Sequence, residues 1–192
     1  VTPDRPTPRT ARGAPGVMRE AILRAGLTTI GDRGYRHATT REICRRAGVS
    51  SGTFFHYFPT KADLLLALLD RGEDQPAAPD LRAFLDEVVA EAADPVVRAF
   101  VREVSTLADV PGLAEVLEAE ETGRRARLVA ALVTERAAGR AGTAVALEEQ
   151  VRRVELLVAG YESLVATSEV DARALGRTLH EMARLTLATL AP

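Results

Sequence analysis

The sequence predicts an all-α protein of about nine helices, a small N-terminal helix-turn-helix unit followed by a larger C-terminal helical bundle. Three observations carry this. Apolar residues recur at helical spacing through most of the chain. No stretch alternates apolar and polar residues as a half-buried strand would. Glycines, prolines and capping residues punctuate the periodic segments where helices should start and stop.

Residues 1–15 hold four prolines and three arginines without apolar periodicity and read as a flexible basic arm. A first helix is expected from Gly16 to Arg33, with Ile22, Leu23, Leu27 and Ile30 as its stripe and Gly34 as its stop. Thr39 is a good N-cap, and Glu42 three residues later predicts a capping box. The second helix carries Ile43, Cys44 and Ala47 on one side and Arg41, Arg45 and Arg46 on the other, and ends at Gly48. Ser50 caps a third helix. A fourth starts near Lys61 on a stripe of Leu64, Leu65, Leu68 and Leu69 and fades at Arg71-Gly72. EDQPAAPD, residues 73–80, is a Pro-rich break. Beyond it, helices are expected over 80–92 and 94–108, the latter opened by Asp94-Pro95. A long helix runs from Pro111 to about Ala138, and two more cover 144–167 and 171–190. The expected organisation is an arm over 1–15, a helix-turn-helix unit with its linker helix over 16–72, and a regulatory and dimerisation bundle over 80–192.

The bulk properties fit this picture. With 192 residues, 46% apolar and 27% charged, the chain can bury a sizeable core and needs no disulfide or metal staple. Its single cysteine excludes an internal disulfide, and an intracellular, cytoplasmic setting is expected. The start lacks an apolar h-region, so no secretory signal is expected, and no apolar run is long enough to span a bilayer. The net charge of −2 hides an asymmetry: residues 1–72 carry 12 basic and 6 acidic side chains, residues 73–192 carry 13 and 21. A basic front and an acidic back fit a chain that meets a polyanion with its N-terminal part alone.

Two short helices joined by a tight turn at Gly48-Val49-Ser50 have the spacing of a helix-turn-helix, whose second helix enters the DNA major groove. At these residues the chain resembles a known family. TTREICRRAGVSSGTFFHYFPTKADLL, preceded by AILRAGLTTIGDRGYRHATT, resembles the DNA-binding segment of the TetR family of bacterial transcriptional repressors. The resemblance covers about residues 18–70; the rest matches only in length and helical character. The 24 arginines against one lysine, and the richness in alanine, are those of proteins from GC-rich bacterial genomes. That bias explains the number of arginines but not their separation from the acids.

The resemblance and the residue chemistry together nominate the DNA contacts. Ser50, Ser51 and Thr53 offer hydroxyls and backbone N–H groups at a helix start, which suit phosphate oxygens. Gly52 lets the groove wall approach, and the Thr53 methyl can meet a thymine methyl. His56 suits a base edge or phosphate, Tyr57 a phosphate, and Lys61 matches the family's phosphate-contacting lysine. Thr40 and Arg41 are placed to touch the backbone across the groove. Phe55 stands where the family most often has tyrosine, so it loses a phosphate hydrogen bond but can pack on sugar or a thymine methyl. Phe54 and Phe58, four apart on one face, are expected in the core, as is Cys44.

The resemblance also implies a ligand pocket and a dimer interface in the bundle. Phe100, Glu103 and Leu107 share a helix face that Tyr161 on another helix could meet, and are the candidate ligand residues. The last two helices carry excess apolar surface, so Leu157, Tyr161, Leu164, Leu179, Met182 and Thr186 are the candidate dimer residues. The expected function is a homodimeric regulator of a palindromic operator, released from double-stranded DNA by a small-molecule ligand, without cofactor or membrane. An architectural or division-linked DNA-binding protein of the same fold is the alternative. An enzyme is not expected. His37, His56, His180 and Cys44 are far apart, with no H-E-x-x-H, G-x-S-x-G or P-loop pattern, and no metal or catalytic set is assigned.

Overall fold

The structure is a computed structural model that describes residues 15–70 and 78–188. The expected arm (apart from Pro15) and most of the expected break over 73–80 lie outside the described residues. Those described form α1 (Pro15–Arg33), α2 (Thr40–Ala47), α3 (Ser51–Tyr57), α4 (Lys61–Leu69), α5 (Leu81–Ala93), α6 (Pro95–Val104), α7 (Leu113–Ala137), α8 (Leu147–Thr167) and α9 (Ala172–Ala188). Among them there is no strand.

Local chemistry sets most boundaries. Ser50 and Asp80 each accept a hydrogen bond from the backbone three residues on, and Asp94 accepts from Val96 and Val97. Thr60 and Asp63 complete a reciprocal capping box at the start of α4. At α2 only half of the expected box forms. Thr39 accepts from the Glu42 N–H, but the Glu42 carboxylate turns to Arg33 Nε at 2.9 Å. A charge-assisted bond to arginine outcompetes one to a backbone amide.

Packing gathers the helices around three apolar clusters. Ile22, Ala25, Ile43, Cys44, Phe54, Phe58 and Leu64 form the core of the helix-turn-helix unit. A larger cluster from α5, α7, α8 and α9 includes Phe84, Leu85, Leu128, Leu132, Val151, Val154 and Tyr161. The third joins the two. Ile30, Ala38 and Leu65 from the front pack with Phe100, Val104 and Leu113 from behind. Each of these side chains contributes roughly 1.5–3 kcal/mol on burial if large and aliphatic or aromatic. Helix α6 lies along α1, with a smaller contact on α5.

Two buried polar groups fix the α7–α8 corner. Glu135 accepts a bidentate pair from Arg140 at 2.8 and 2.9 Å. Gln150 accepts from Arg136 Nε at 2.7 Å and donates to the Gly142 carbonyl at 2.8 Å.

Helix α9 approaches α5 most closely at Gly176, where an added Cβ would lie 2.7 Å from both Val89 γ-carbons. Alanine should gain about 1 kcal/mol of helix propensity but overpack the contact by about 1–3 kcal/mol. Val89 is β-branched and cannot swing aside within a helix, so the clash wins. Gly176→Ala is expected to lower the melting temperature by about 2–6 °C. Adding Val89→Ala should recover part of that loss, read as positive coupling in a double-mutant cycle. An unchanged melting temperature in the single variant would contradict this packing.

Candidate nucleic-acid interface

The turn and the third helix are built by three local devices. Gly48 takes φ +69° and donates its N–H to the Cys44 carbonyl, which ends α2. Ser50 Oγ accepts from the Thr53 N–H at 3.0 Å and lies 2.9 Å from Thr53 Oγ1. Phe54 and Phe58 are buried with ring centroids 6.0 Å apart and fasten α3 to α1, α2 and α4. Arg19 lies over the Phe58 ring at 5.6 Å.

This anchoring turns one face of α3 outward. Ser50, Ser51, Gly52, Phe55 and His56 are exposed, and Thr53 and Tyr57 are half-buried. Phe55 is 49% exposed, its ring edge against Phe54 at 5.3 Å between centroids. An aromatic held open on a short helix beside hydroxyls suits sugar edges and thymine methyls. His56 and Tyr57 lie edge to face at 5.1 Å. On α2, Arg41 is exposed and Thr40 half-buried, so both border the same surface. Arg46 is tied to Asp32 at 2.9 Å and is less available.

Lys61 stands differently from the sequence expectation. Its Nζ donates to the carbonyls of Tyr35 at 2.6 Å and Ala38 at 2.9 Å and lies 4.4 Å from the Tyr35 ring centroid. Burial pushes its pKa below the usual lysine value. The ammonium therefore braces the α1–α2 turn from below. From the other side the Glu103 carboxylate accepts the Tyr35 N–H at 2.6 Å. Gly34 makes room for it: its φ is +79°, and an added Cβ would lie 3.1 Å from Glu103 Oε1. Burial, then Asp109 and Asp63, raise the pKa of the Tyr35 phenol.

The candidate ligand residues are not brought together. Phe100 and Leu107 belong to the cluster that joins front and back, and Glu103 holds the turn. Tyr161 sits in the other large cluster, where its hydroxyl donates to the Ala172 carbonyl at 3.0 Å. Burial, then Glu162 and Asp171, raise the pKa of this phenol, opposed by the charge of Arg98. The candidate dimer residues split as well. Leu164 and Met182 are 49% and 46% exposed, and Leu157 and Thr186 are half-buried. Tyr161 and Leu179 turn into the protomer's own core and are corrected as interface residues. The stripe they share with α5 and α9 satisfies helical spacing equally well, which is why periodicity misplaced them.

A helix-turn-helix with an outward third helix is the arrangement of a DNA-binding unit. Residues 22–68 match the family model of bacterial regulatory proteins, tetR family. The chain is 37% identical over 86 residues to the transcriptional regulator AcuR of Cereibacter sphaeroides, covering 44% of this chain and 39% of AcuR. Among solved structures it resembles Salmonella enterica GusR at 25% identity and a TM-score of 0.68, over 93% of this chain and all of that one. It also shares its fold with FadR of Bacillus subtilis, solved in complex with stearoyl-CoA. That match has 17% identity and a TM-score of 0.65, over 85% of this chain and 96% of that one. Residues 22–68 are thus similar to the DNA-binding segment of tetR-family regulatory proteins, while the bundle behind them shares the overall fold of the solved structures. The alignment spans under two fifths of AcuR's length. Among the described residues no helix is long and apolar enough to cross a membrane.

The brace predicts a dual effect of Lys61. Lys61→Met keeps the apolar stem but leaves two turn carbonyls without their donor, so stability should fall by about 1–2 kcal/mol. Affinity for any DNA should fall with it, because the turn seats α2 and α3. Thermal melting and titration on random duplex check this. Unchanged melting would show that the ammonium does not hold the turn.

Proposed function

We propose that this chain is a dimeric, ligand-responsive repressor that reads a palindromic operator with α3 in the cytoplasm of a bacterium. The observation that carries the reading is the outward face of α3, fixed by Phe54 and Phe58 and fringed by Ser51, Thr53, Phe55 and His56. Thr40, Arg41, Ser50, Gly52 and Tyr57 border it and supply phosphate and groove-wall contacts. The charge asymmetry supports the assignment, since the acidic back would be repelled by DNA. Residues 16–72 act as the reading unit and 80–192 as the regulatory and dimerisation unit, with α6 between them.

Dimerisation is assigned to the exposed face of α8 and α9. Leu156, Leu164, Met182 and Leu185 are all between 45% and 72% exposed. Gly160 on the same helix has open space where a Cβ would stand, which permits close helix approach. Two such helices per protomer make a four-helix contact, and a two-fold axis places two copies of α3 on a palindrome. FadR of Bacillus subtilis, which shares the fold, was solved in complex with stearoyl-CoA, and this supports a small-molecule ligand for the chain.

The reading is tested by selecting bound duplexes from a random pool and titrating selected and random DNA across a salt series. The selected sites should be palindromic. Thr53→Ala should cost roughly 1–3 kcal/mol on the selected site and little on random DNA. Equal losses on both would move Thr53 to a phosphate, and a failure to enrich any sequence would overturn the function.

The dimer has its own test. Leu164→Glu with Met182→Glu should give folded monomers with weak operator binding, seen by sedimentation and thermal melting. Leu179→Glu should unfold the protein instead, because that side chain is buried within the protomer. A double variant that remains dimeric would place the interface elsewhere.

A further inference from the structure

One side chain on the outward face of α3 can make no hydrogen bond. Ser50, Ser51, Thr53, His56 and Tyr57 bring polar atoms to that surface, while Phe55 brings only a phenyl ring, 49% exposed. The chain's other four phenylalanines are at most 3% exposed. A ring left in water forgoes the burial that stabilises those four, so the contact that covers it comes from outside the protomer. The ring also has a fixed place. It meets Phe54 edge to face, 5.3 Å between centroids at 84°, and Phe54 is itself fully buried. Its neighbours one turn back on the helix are the short Ser51 and Gly52. A Cβ added at Gly52 would have only Ser50 Oγ within 4 Å, at 3.7 Å. Nothing bulky on α3 therefore stands between the ring and a surface laid against the helix.

We propose that Phe55 reads the C5-methyl group of a pyrimidine in each half-site, so that the chain selects thymine there, discriminates against uracil, and recognises the methyl of 5-methylcytosine. A docked duplex offers the ring phosphates, sugars and base edges. A phosphate needs a donor, which phenyl lacks, and covering one with a ring strips its water without return. The sugars line the minor groove. In the major groove the base edges are polar apart from the thymine methyl, which is the apolar surface that matches the ring. In 5-methylcytosine the methyl stands on the same ring carbon, beside cytosine's own hydrogen-bonding edge. Only the apolar part of the contact carries over to it. This inference rests on the reading of α3 as the DNA-reading helix and names the chemical group by which Phe55 selects.

The test titrates the full chain on the duplex selected from the random pool, with each symmetry-related pair of thymines replaced in turn by deoxyuridine. Uracil pairs as thymine does, so only the methyl is removed. At one pair of positions the wild type should lose about fourfold per half-site, the worth of one buried methyl group. Phe55→Ala should bind the thymine and uracil duplexes alike, and Phe55→Leu, which keeps an apolar contact, should keep part of the difference. With cytosine at the same positions, C5 methylation should strengthen wild-type binding by a similar factor and leave Phe55→Ala unchanged. The wild-type comparison of thymine with uracil involves no variant, so it judges the proposal even if Phe55→Ala folds poorly. A wild type indifferent to uracil at every position would overturn it. So would a thymine preference that survives in Phe55→Ala, which would give the methyl to Thr53. A Phe55→Ala loss as large on random duplex as on the selected one would give the ring to a sugar and overturn it as well. A pool that enriches no sequence would strike the DNA-reading assignment together with this inference, whereas an enriched duplex indifferent to uracil strikes this inference alone.

Discussion

The α1–α2 turn is the constraint on which the rest of the molecule depends. It is gripped twice, by Lys61 through the carbonyls of Tyr35 and Ala38 and by Glu103 through the Tyr35 amide. Gly34 makes the second grip possible, because a side chain there would fall both in the left-handed region and against the carboxylate. A lysine and a glutamate that could have met each other instead hold opposite poles of one short segment. The first comes from the reading unit, the second from the helix that leads into the bundle.

This arrangement decides how the two parts communicate. The cluster of Ile30, Ala38, Leu65, Phe100, Val104 and Leu113 belongs to neither part alone. A polar surface joint would let the reading unit swing freely. An apolar one costs several kcal/mol to open and favours discrete positions over continuous bending. The turn's position fixes the start of α2, α2 fixes the cap at Ser50, and Ser50 fixes α3. A small movement of α6 would therefore reach the outward face of α3, and in the proposed function the acidic back supplies structure and control rather than DNA contacts.

The helix-turn-helix was legible in the sequence because its signals are local. Gly48, Ser50 and the Phe54–Phe58 pair each act within a few residues, and all stand where spacing placed them. The capping box at Thr39 was half legible, since nothing local shows that Arg33 would claim Glu42. The bundle was legible as helices but not as pairings. Phe100 and Leu107 satisfied the pattern of a pocket wall and proved to be the joint. Tyr161 and Leu179 satisfied that of an outward stripe and proved to be core. Helical periodicity says that a side chain is apolar on a face, and not which neighbour that face meets. Lys61 shows the same limit for charge: its partners, the carbonyls of Tyr35 and Ala38, are found only in three dimensions.

Helix α6 sets the α1–α2 turn, and the turn seats the reading helix. Amide hydrogen exchange in wild type and Glu103→Ala tests this most directly. Exchange at Tyr35 and Ala38 should be slow in the wild type and much faster at both once the carboxylate is gone. The bundle amides of α7 and α8 should keep their protection. Identical exchange at Tyr35 in the two proteins, or fast exchange there in the wild type, would contradict it.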